Sequence, residues 1–261
     1  MKTKKIGLVG IYFPGAYDAL HENVPEGFEL VDALSPEAYG NLADCEYLIS
    51  RLDIDPDIIN HTPNVKFWQR WGAGFDHVDL KAWGERGIPI ATCPGVNSGI
   101  VAELAIMLML AGYRNLLQIN RQLRAGHWPR TEYFGRSFMI KGKTVGVLGL
   151  GHIGKKVAAL ASAFGANVIY YDIVRQPEQE EQFGYRFVDF DTLLKESDIF
   201  TIHCPLNEET RGMIGAAQFA KMKPTAMLIN TARGPIVDEA ALVDALSLIH
   251  ISEPTRLGMI S

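Results

Sequence analysis

Six residues, Gly149-Leu150-Gly151-His152-Ile153-Gly154, follow the apolar run Thr144-Val145-Gly146-Val147-Leu148, and a helical pattern leaves them. The chemistry open to such a turn is anion binding. Gly149 permits the tight turn, Gly151 lets the backbone approach a pyrophosphate, and Gly154 lets helix and strand pack closely. The first helical amides, at His152 and Ile153, then face the phosphates with the helix dipole behind them. A second apolar run, Asn167-Val168-Ile169-Tyr170-Tyr171, ends at Asp172, at about the 20-residue distance where a carboxylate accepts from ribose hydroxyls and repels a 2′-phosphate. The expected cofactor is NAD rather than NADP. A glycine-rich turn alone is also common as plain structure in α/β proteins. The strand before it, the helix after it and the acid at the right distance favour binding.

Other residues carry chemistry with less sequence context. Gly72-Ala73-Gly74 ends the run Val65 to Trp71. Such a turn presents backbone N–H groups that can hold an anion. It reads equally well as a strand-to-helix turn with Asp76 and Asp79 as caps. Arg233 follows the strand Ala226 to Asn230. Its planar fork of donors suits adjacent carboxylate and carbonyl oxygens. A fixed cation there stabilises the negative charge that grows on oxygen as a hydride reaches the carbonyl carbon. The plainer alternative is a surface arginine in a loop. Cys204, after another strand, lies at the ligand edge of such a sheet. A nucleophilic role for it lacks the paired base that role needs.

These residues need a scaffold. The chain has 261 residues, 48% of them hydrophobic, with 25 basic and 30 acidic side chains and a net charge of −5. That balance is no nucleic-acid footprint. Cys45, Cys93 and Cys204 are widely spaced, without metal-type spacing, as expected of reduced thiols in the cytoplasm. The apolar stretch Ile100 to Gly112 is too short for a membrane span and contains Glu103. The N-terminus reads as a first strand rather than a signal peptide, because Pro14 and Gly15 break the apolar run. Strands are expected at 5–12, 28–32, 46–50, 65–70 and 88–92, with helices between them and Ser35 capping a helix that starts at Pro36. A long helix over about 98–123 and a looser segment over 125–141 precede strands near 144–148, 167–171, 186–188, 198–202 and 226–230. Two α/β domains meeting near residue 97 fit this rhythm, and a cleft between two domains is a natural ligand site.

Five further segments, in order around the glycine turn, sharpen the reading: Gly72-Ala73-Gly74-Phe75-Asp76-His77-Val78-Asp79, Asn97-Ser98-Gly99-Ile100-Val101-Ala102-Glu103, His203-Cys204-Pro205-Leu206-Asn207-Glu208-Glu209-Thr210-Arg211, Met222-Lys223-Pro224 and Asn230-Thr231-Ala232-Arg233-Gly234. Together they closely resemble the D-isomer-specific 2-hydroxyacid dehydrogenases, over residues 1 to about 245. The resemblance implies two Rossmann-like domains: a flavodoxin-like substrate domain at 1–97 without its returning C-terminal helix, and a doubly wound NAD-binding domain at 98–245. It implies hydride transfer between NAD(H) and C2 of a small 2-hydroxy or 2-oxo acid, with Arg233 as catalytic residue. Ala73, Gly74 and Arg233 are then substrate-binding. Val101 lies near the nicotinamide, where it also serves as core. Cys204, Pro205, Thr210, Thr231, Ala232 and Arg233 join Gly149, Gly151, His152, Ile153, Gly154 and Asp172 at the cofactor. Asn207 departs from the threonine common at its place. His77 and Glu103 are given no catalytic duty. A homodimer through the 98–140 region is implied for the full-length protein, with no nucleic-acid or membrane partner. Two alternatives remain: an NAD(H)-sensing dehydrogenase-like binding protein, and a formate or phosphite dehydrogenase-like enzyme.

The family's proton donor is a histidine tuned by a glutamate, both following the arginine motif. Here Leu246-Ser247-Leu248-Ile249-His250-Ile251-Ser252-Glu253-Pro254-Thr255-Arg256 matches neither motif and resembles a translated sequencing adapter. His250 and Glu253 are not taken as that pair. The expectation is a native sequence ending near Ala245 or Leu246, a non-native tail over 246–261, and negligible turnover by the chain as written.

Overall fold

The computed structural model describes residues 3–52, 54–76 and 78–247. The chain divides into two compact units, Met1–Asn97 and Ser98–Ser261, each holding a five-stranded sheet whose paired strands run parallel.

In the first unit the strands are β1 (Lys4–Gly10), β2 (Phe28–Ala33), β3 (Tyr47–Arg51), β4 (Phe67–Arg70) and β5 (Ile90–Ala91). Their order is β2-β1-β3-β4-β5, the flavodoxin-like order. β3 and β4 alternate half-buried and buried residues, which puts Leu48, Ser50, Trp68 and Arg70 at the buried positions. The Trp68 indole donates to the Ser50 hydroxyl (2.7 Å). Trp68 packs on Trp83 of α2 (Leu80–Glu85), and Leu42, Leu48, Ile58 and Val65 complete this core. Asp79 caps α2 by accepting from the Ala82 amide (2.9 Å). α1 (Pro14–Glu22) is a regular helix, whereas Pro36–Asp44 and Pro56–His61 fold as 3₁₀ turns. Ser35 does stand at a cap position, but its side chain does not cap the backbone. It bonds the Glu37 carboxylate instead and holds that carboxyl below its ordinary range.

In the second unit β6 (Thr144–Leu148), β7 (Asn167–Tyr171), β8 (Arg186–Phe187), β9 (Ile199–Ile202) and β10 (Met227–Asn230) are ordered β10-β9-β6-β7-β8. Counted from β6, this is the doubly wound dinucleotide-binding order, reversing direction between β6 and β9. The period-two rule sorts its side chains. Val145, Val147, Val168, Tyr170, Ile199, Met227 and Ile229 form one core with α3 (Ser98–Tyr113) and α5 (His152–Ala163). Leu148, Ile169, Phe200, Ile202 and Leu228 form the other, with Leu193 and Leu194 of α7 (Phe190–Glu196) and Leu242 of α9 (Glu239–Ser247). The remaining helices are α4 (Leu116–Arg124), α6 (Pro177–Phe183) and α8 (Ala216–Phe219).

The single long helix expected over 98–123 is two helices. Asn115 adopts φ +50°, a left-handed conformation, and α4 departs from α3 at 63°. Asparagine tolerates that region better than most residues. Here its side chain is also buried, and its amide donates to the Arg136 carbonyl (2.9 Å) and the Ser137 hydroxyl (3.1 Å). Tertiary hydrogen bonds thus break a run whose residue types read as helical throughout. Among the described residues, no single helix is long and apolar enough to cross a membrane.

Candidate active site

Four loops leave the carboxyl ends of the neighbouring strands β7, β6, β9 and β10. The loops after β6 and β9 meet directly. Gly149 has φ +90°, and a Cβ built on it would lie 2.8 Å from the Cys204 nitrogen. A Cβ on Gly154 would collide with the Gly149 carbonyl oxygen. These two glycines are therefore demanded by the protein's own backbone. Gly151 differs, because a Cβ there would meet nothing within 4 Å. It is the N-cap of α5 without a side-chain cap, so the helix opens onto free space with its first amides unclaimed by a side chain. That is the shape and polarity a pyrophosphate fits.

Asp172 accepts from the Leu150 amide through Oδ2 (2.7 Å) and from the Val174 amide through Oδ1 (3.2 Å). The carboxylate is thereby fixed against the glycine turn. Each oxygen retains a lone pair, enough for two ribose hydroxyls. The residues present fit NAD.

After β9, His203 and Cys204 pack against Gly149. Burial pushes the Cys204 thiol up to about 11, with Asp172 adding to the effect, so it stays protonated near neutrality, unlike an activated nucleophile. Burial also lowers His203 to about 4; its Nε2 is 2.8 Å from the Thr201 hydroxyl. Asn207 accepts from the Thr210 amide (2.8 Å), and its own amide donates to the Thr210 hydroxyl (2.9 Å). The asparagine that departs from the family pattern thus closes this loop reciprocally with Thr210, and Pro205 lies inside it, its carbonyl accepting from the Thr210 hydroxyl (2.7 Å).

After β10, the buried Asn230 folds the turn. Its Oδ1 accepts from the Ala232 amide (3.0 Å) and its Nδ2 donates to the Arg233 carbonyl (2.8 Å). Arg233 is exposed, in extended backbone, and donates from Nη1 to the Ala232 carbonyl (2.8 Å). Thr231 holds a buried hydroxyl without a hydrogen-bond partner. Val101 is half-buried in the first turn of α3, a helix that packs on α5 and β10.

In the first unit, Ala73 and Gly74 are half-buried in the loop after β4. Sequence reasoning missed two residues. Asn230 was visible only as part of a motif, although an asparagine two positions before an amide it can cap is a turn signal. Arg70 was not singled out at all, although a charged residue at an inward position of an alternating strand is a signal. His77, His250 and Glu253 lie outside the described residues, as do 248–261 of the expected tail.

The second unit, by sheet order, glycine turn and placed acid, is a dinucleotide-binding domain. Residues 106–253 match the model of the D-isomer specific 2-hydroxyacid dehydrogenase NAD binding domain, and the chain belongs to that family. It is 40% identical over 198 residues to a glyoxylate reductase of Thermococcus litoralis, covering 74% of this chain and 60% of that protein. It is 44% identical over 197 residues to a D-3-phosphoglycerate dehydrogenase of Archaeoglobus fulgidus, covering 76% of this chain and 37% of that one. The chain thus spans less than two thirds of either relative. Among solved structures it resembles an NAD-dependent formate dehydrogenase from Staphylococcus aureus in complex with NAD, with 30% identity, a TM-score of 0.82, and coverage of 94% of this chain and 78% of that one.

Proposed function

We propose that this protein transfers a hydride between NAD(H) and C2 of a small 2-hydroxy or 2-oxo acid. The observation that carries the reading is the row of loops at one sheet edge, with a pyrophosphate cradle, a fixed acid and a cation-bearing turn on neighbouring strands. The names of the reductase and dehydrogenase relatives support it. Gly149, Gly151 and Gly154 shape the pyrophosphate site, and the His152 and Ile153 amides bind it. Asp172 takes the ribose. Cys204, Pro205, Thr210, Thr231, Ala232 and Val101 line the cofactor. When bound, NAD(H) supplies or accepts the hydride. Arg233 orients the carboxylate and ketone oxygens and stabilises charge on the latter. The amides of Ala73 and Gly74 hold the carboxylate. Residues 1–97 are accordingly the substrate domain and 98–245 the cofactor domain. The three free thiols support a reducing, cytoplasmic setting.

Calorimetry on the purified chain tests this. NAD should bind at least about tenfold tighter than NADP. With cofactor present, glyoxylate and pyruvate should bind through Arg233, and Arg233→Gln should weaken them by about tenfold or more. Absence of NAD binding sinks the reading. NAD binding without affinity for any 2-oxo acid favours an NAD(H) sensor, and preference for formate or phosphite favours that enzyme class.

The same unit exposes Ile100, Met107, Leu116 and Leu117 on α3 and α4, beside a groove lined by Ile106, Met107, Leu110 and Leu160. Such a face suits a second copy of the chain. Light scattering should find a dimer that Met107→Asp and Leu117→Asp together make monomeric; a dimer that survives both rules this face out.

A further inference from the structure

The loop after β4 has no glycine clash or positive φ at Gly72 to shape it; a Cβ built on Gly72 would meet nothing within 4 Å. A side chain does the shaping. Arg70, only 8% exposed, donates through Nε to the Gly74 carbonyl and through Nη1 to the Leu52 carbonyl (2.8 Å). One guanidinium therefore ties the loops that follow β3 and β4. Leu52 has φ +61°, a left-handed backbone that costs an L residue about 1–2 kcal/mol. The bond to its carbonyl helps hold it there.

The orientation of the amides follows from peptide geometry. In a trans peptide, the carbonyl of one residue and the N–H of the next point in opposite directions. The Gly72 carbonyl is turned to the Cys93 amide (2.9 Å), which turns the Ala73 N–H away from it. The Gly74 carbonyl is turned to Arg70, which turns the Phe75 N–H away from the guanidinium. Among the described residues, the amides of Ala73, Gly74 and Phe75 make no hydrogen bond. Three consecutive amides thus stay open in a loop tied by a buried guanidinium, the donors an anion cradle needs.

We infer that Arg70 is a positioning residue that aims this cradle at a carboxylate, and that the Phe75 amide is its third donor. The inference rests on the carboxylate role proposed for Ala73 and Gly74 and extends it. Lysine cannot reproduce the clamp, because a single ammonium lacks the planar fork that reaches two carbonyls. Arg86 supplies an internal control. It also ties two carbonyls, those of Ile59 (2.7 Å) and Thr62, in the same unit, yet among the described residues it makes no hydrogen bond to the residues of the cradle.

The test is a titration of the ¹⁵N-labelled full chain with glyoxylate, at saturating NAD⁺, followed by amide resonances. In the wild type, the Ala73, Gly74 and Phe75 amides should shift together, and the Arg70 Nε–H signal should shift with the same apparent affinity. Arg70→Lys and Arg70→Gln should each weaken binding about tenfold and lose the three amide shifts, whereas Arg86→Lys should change neither. Wild-type amides that never move overturn the carboxylate role of the loop, and the clamp with it. Wild-type shifts that persist at unchanged affinity in both Arg70 variants overturn the clamp alone. An Arg70 Nε–H signal that stays still while the amides move overturns it without any variant, should those variants fail to fold.

Discussion

Two glycine turns sit at the carboxyl ends of parallel strands, one in each unit, and they are glycine-rich for different reasons. At Gly149–Gly154 the chain's own backbone requires glycine: one residue has positive φ, and another sits where any Cβ would strike a carbonyl oxygen. The turn opens a 12-residue helix, whose N-terminus supplies aligned donors. At Gly72–Gly74 neither applies to Gly72, and the loop depends on a buried arginine bonding backbone carbonyls. Backbone sterics, within the turn and against Cys204, fix the first turn, and a buried side chain at the end of β4 ties the second. The first should fail when a glycine gains a side chain, and the second when Arg70 loses its guanidinium.

The largest expected effect breaks the first turn. Gly149→Val forces a β-branched residue to positive φ against the Cys204 backbone, and should cost about 3 kcal/mol or more in a urea melt while abolishing NAD binding. A variant with wild-type stability would refute the steric account. Gly151→Ala separates structure from binding. Stability should stay within about 0.5 kcal/mol, yet calorimetric NAD affinity should fall about tenfold. Gly72→Ala should likewise leave the melt unchanged. If it instead costs as much as Gly149→Val, the contrast between the turns disappears.

Acid comes next. Burial holds His203 near 4, below its ordinary 6.5. Its contribution is present above pH 6.5 and is lost as pH falls toward 4, because the unfolded chain takes up the proton first. Stability should decline over that window by on the order of 2–3 kcal/mol, and His203→Asn should flatten the decline in pH-dependent melts. At the alkaline end, Cys204 at about 11 should lose stability between its ordinary 9 and 11. Its alkylation by iodoacetamide should be slow at pH 8, and rapid reaction there would contradict the buried setting. The smallest effect concerns the loop after β3. Leu52→Gly relieves positive φ but adds chain entropy, so the melt should move by only a few tenths of a kcal/mol in either direction.

Much of the fold was legible because strand runs and turn signals are local. The sheet segments appear within a few residues of where periodicity puts them, and both strand orders agree with the two Rossmann-like patterns. The α3–α4 break was not legible, because Asn115 is held by Arg136 and Ser137, more than twenty positions away. The 3₁₀ turns were not legible either, since proline-led short segments carry the same start signals whether they wind as α or 3₁₀. Of the candidate site, the glycine turn and Asp172 could be read from spacing, and Arg233 from chemistry. Thr210 could be matched, but its closure by Asn207 needed coordinates.

That the second unit cradles a dinucleotide could be read from residue order alone, because a glycine turn between strand and helix, helix-terminal amides and an acid at the next strand end follow from residue type and spacing. Only the tertiary structure decided that Asp172 is bonded to that turn, that His203 is kept neutral by burial, and that the Gly72–Gly74 loop is shaped by Arg70. Each of these depends on which atoms come within hydrogen-bond distance or exclude water once the chain is packed, and residue type and spacing do not specify that.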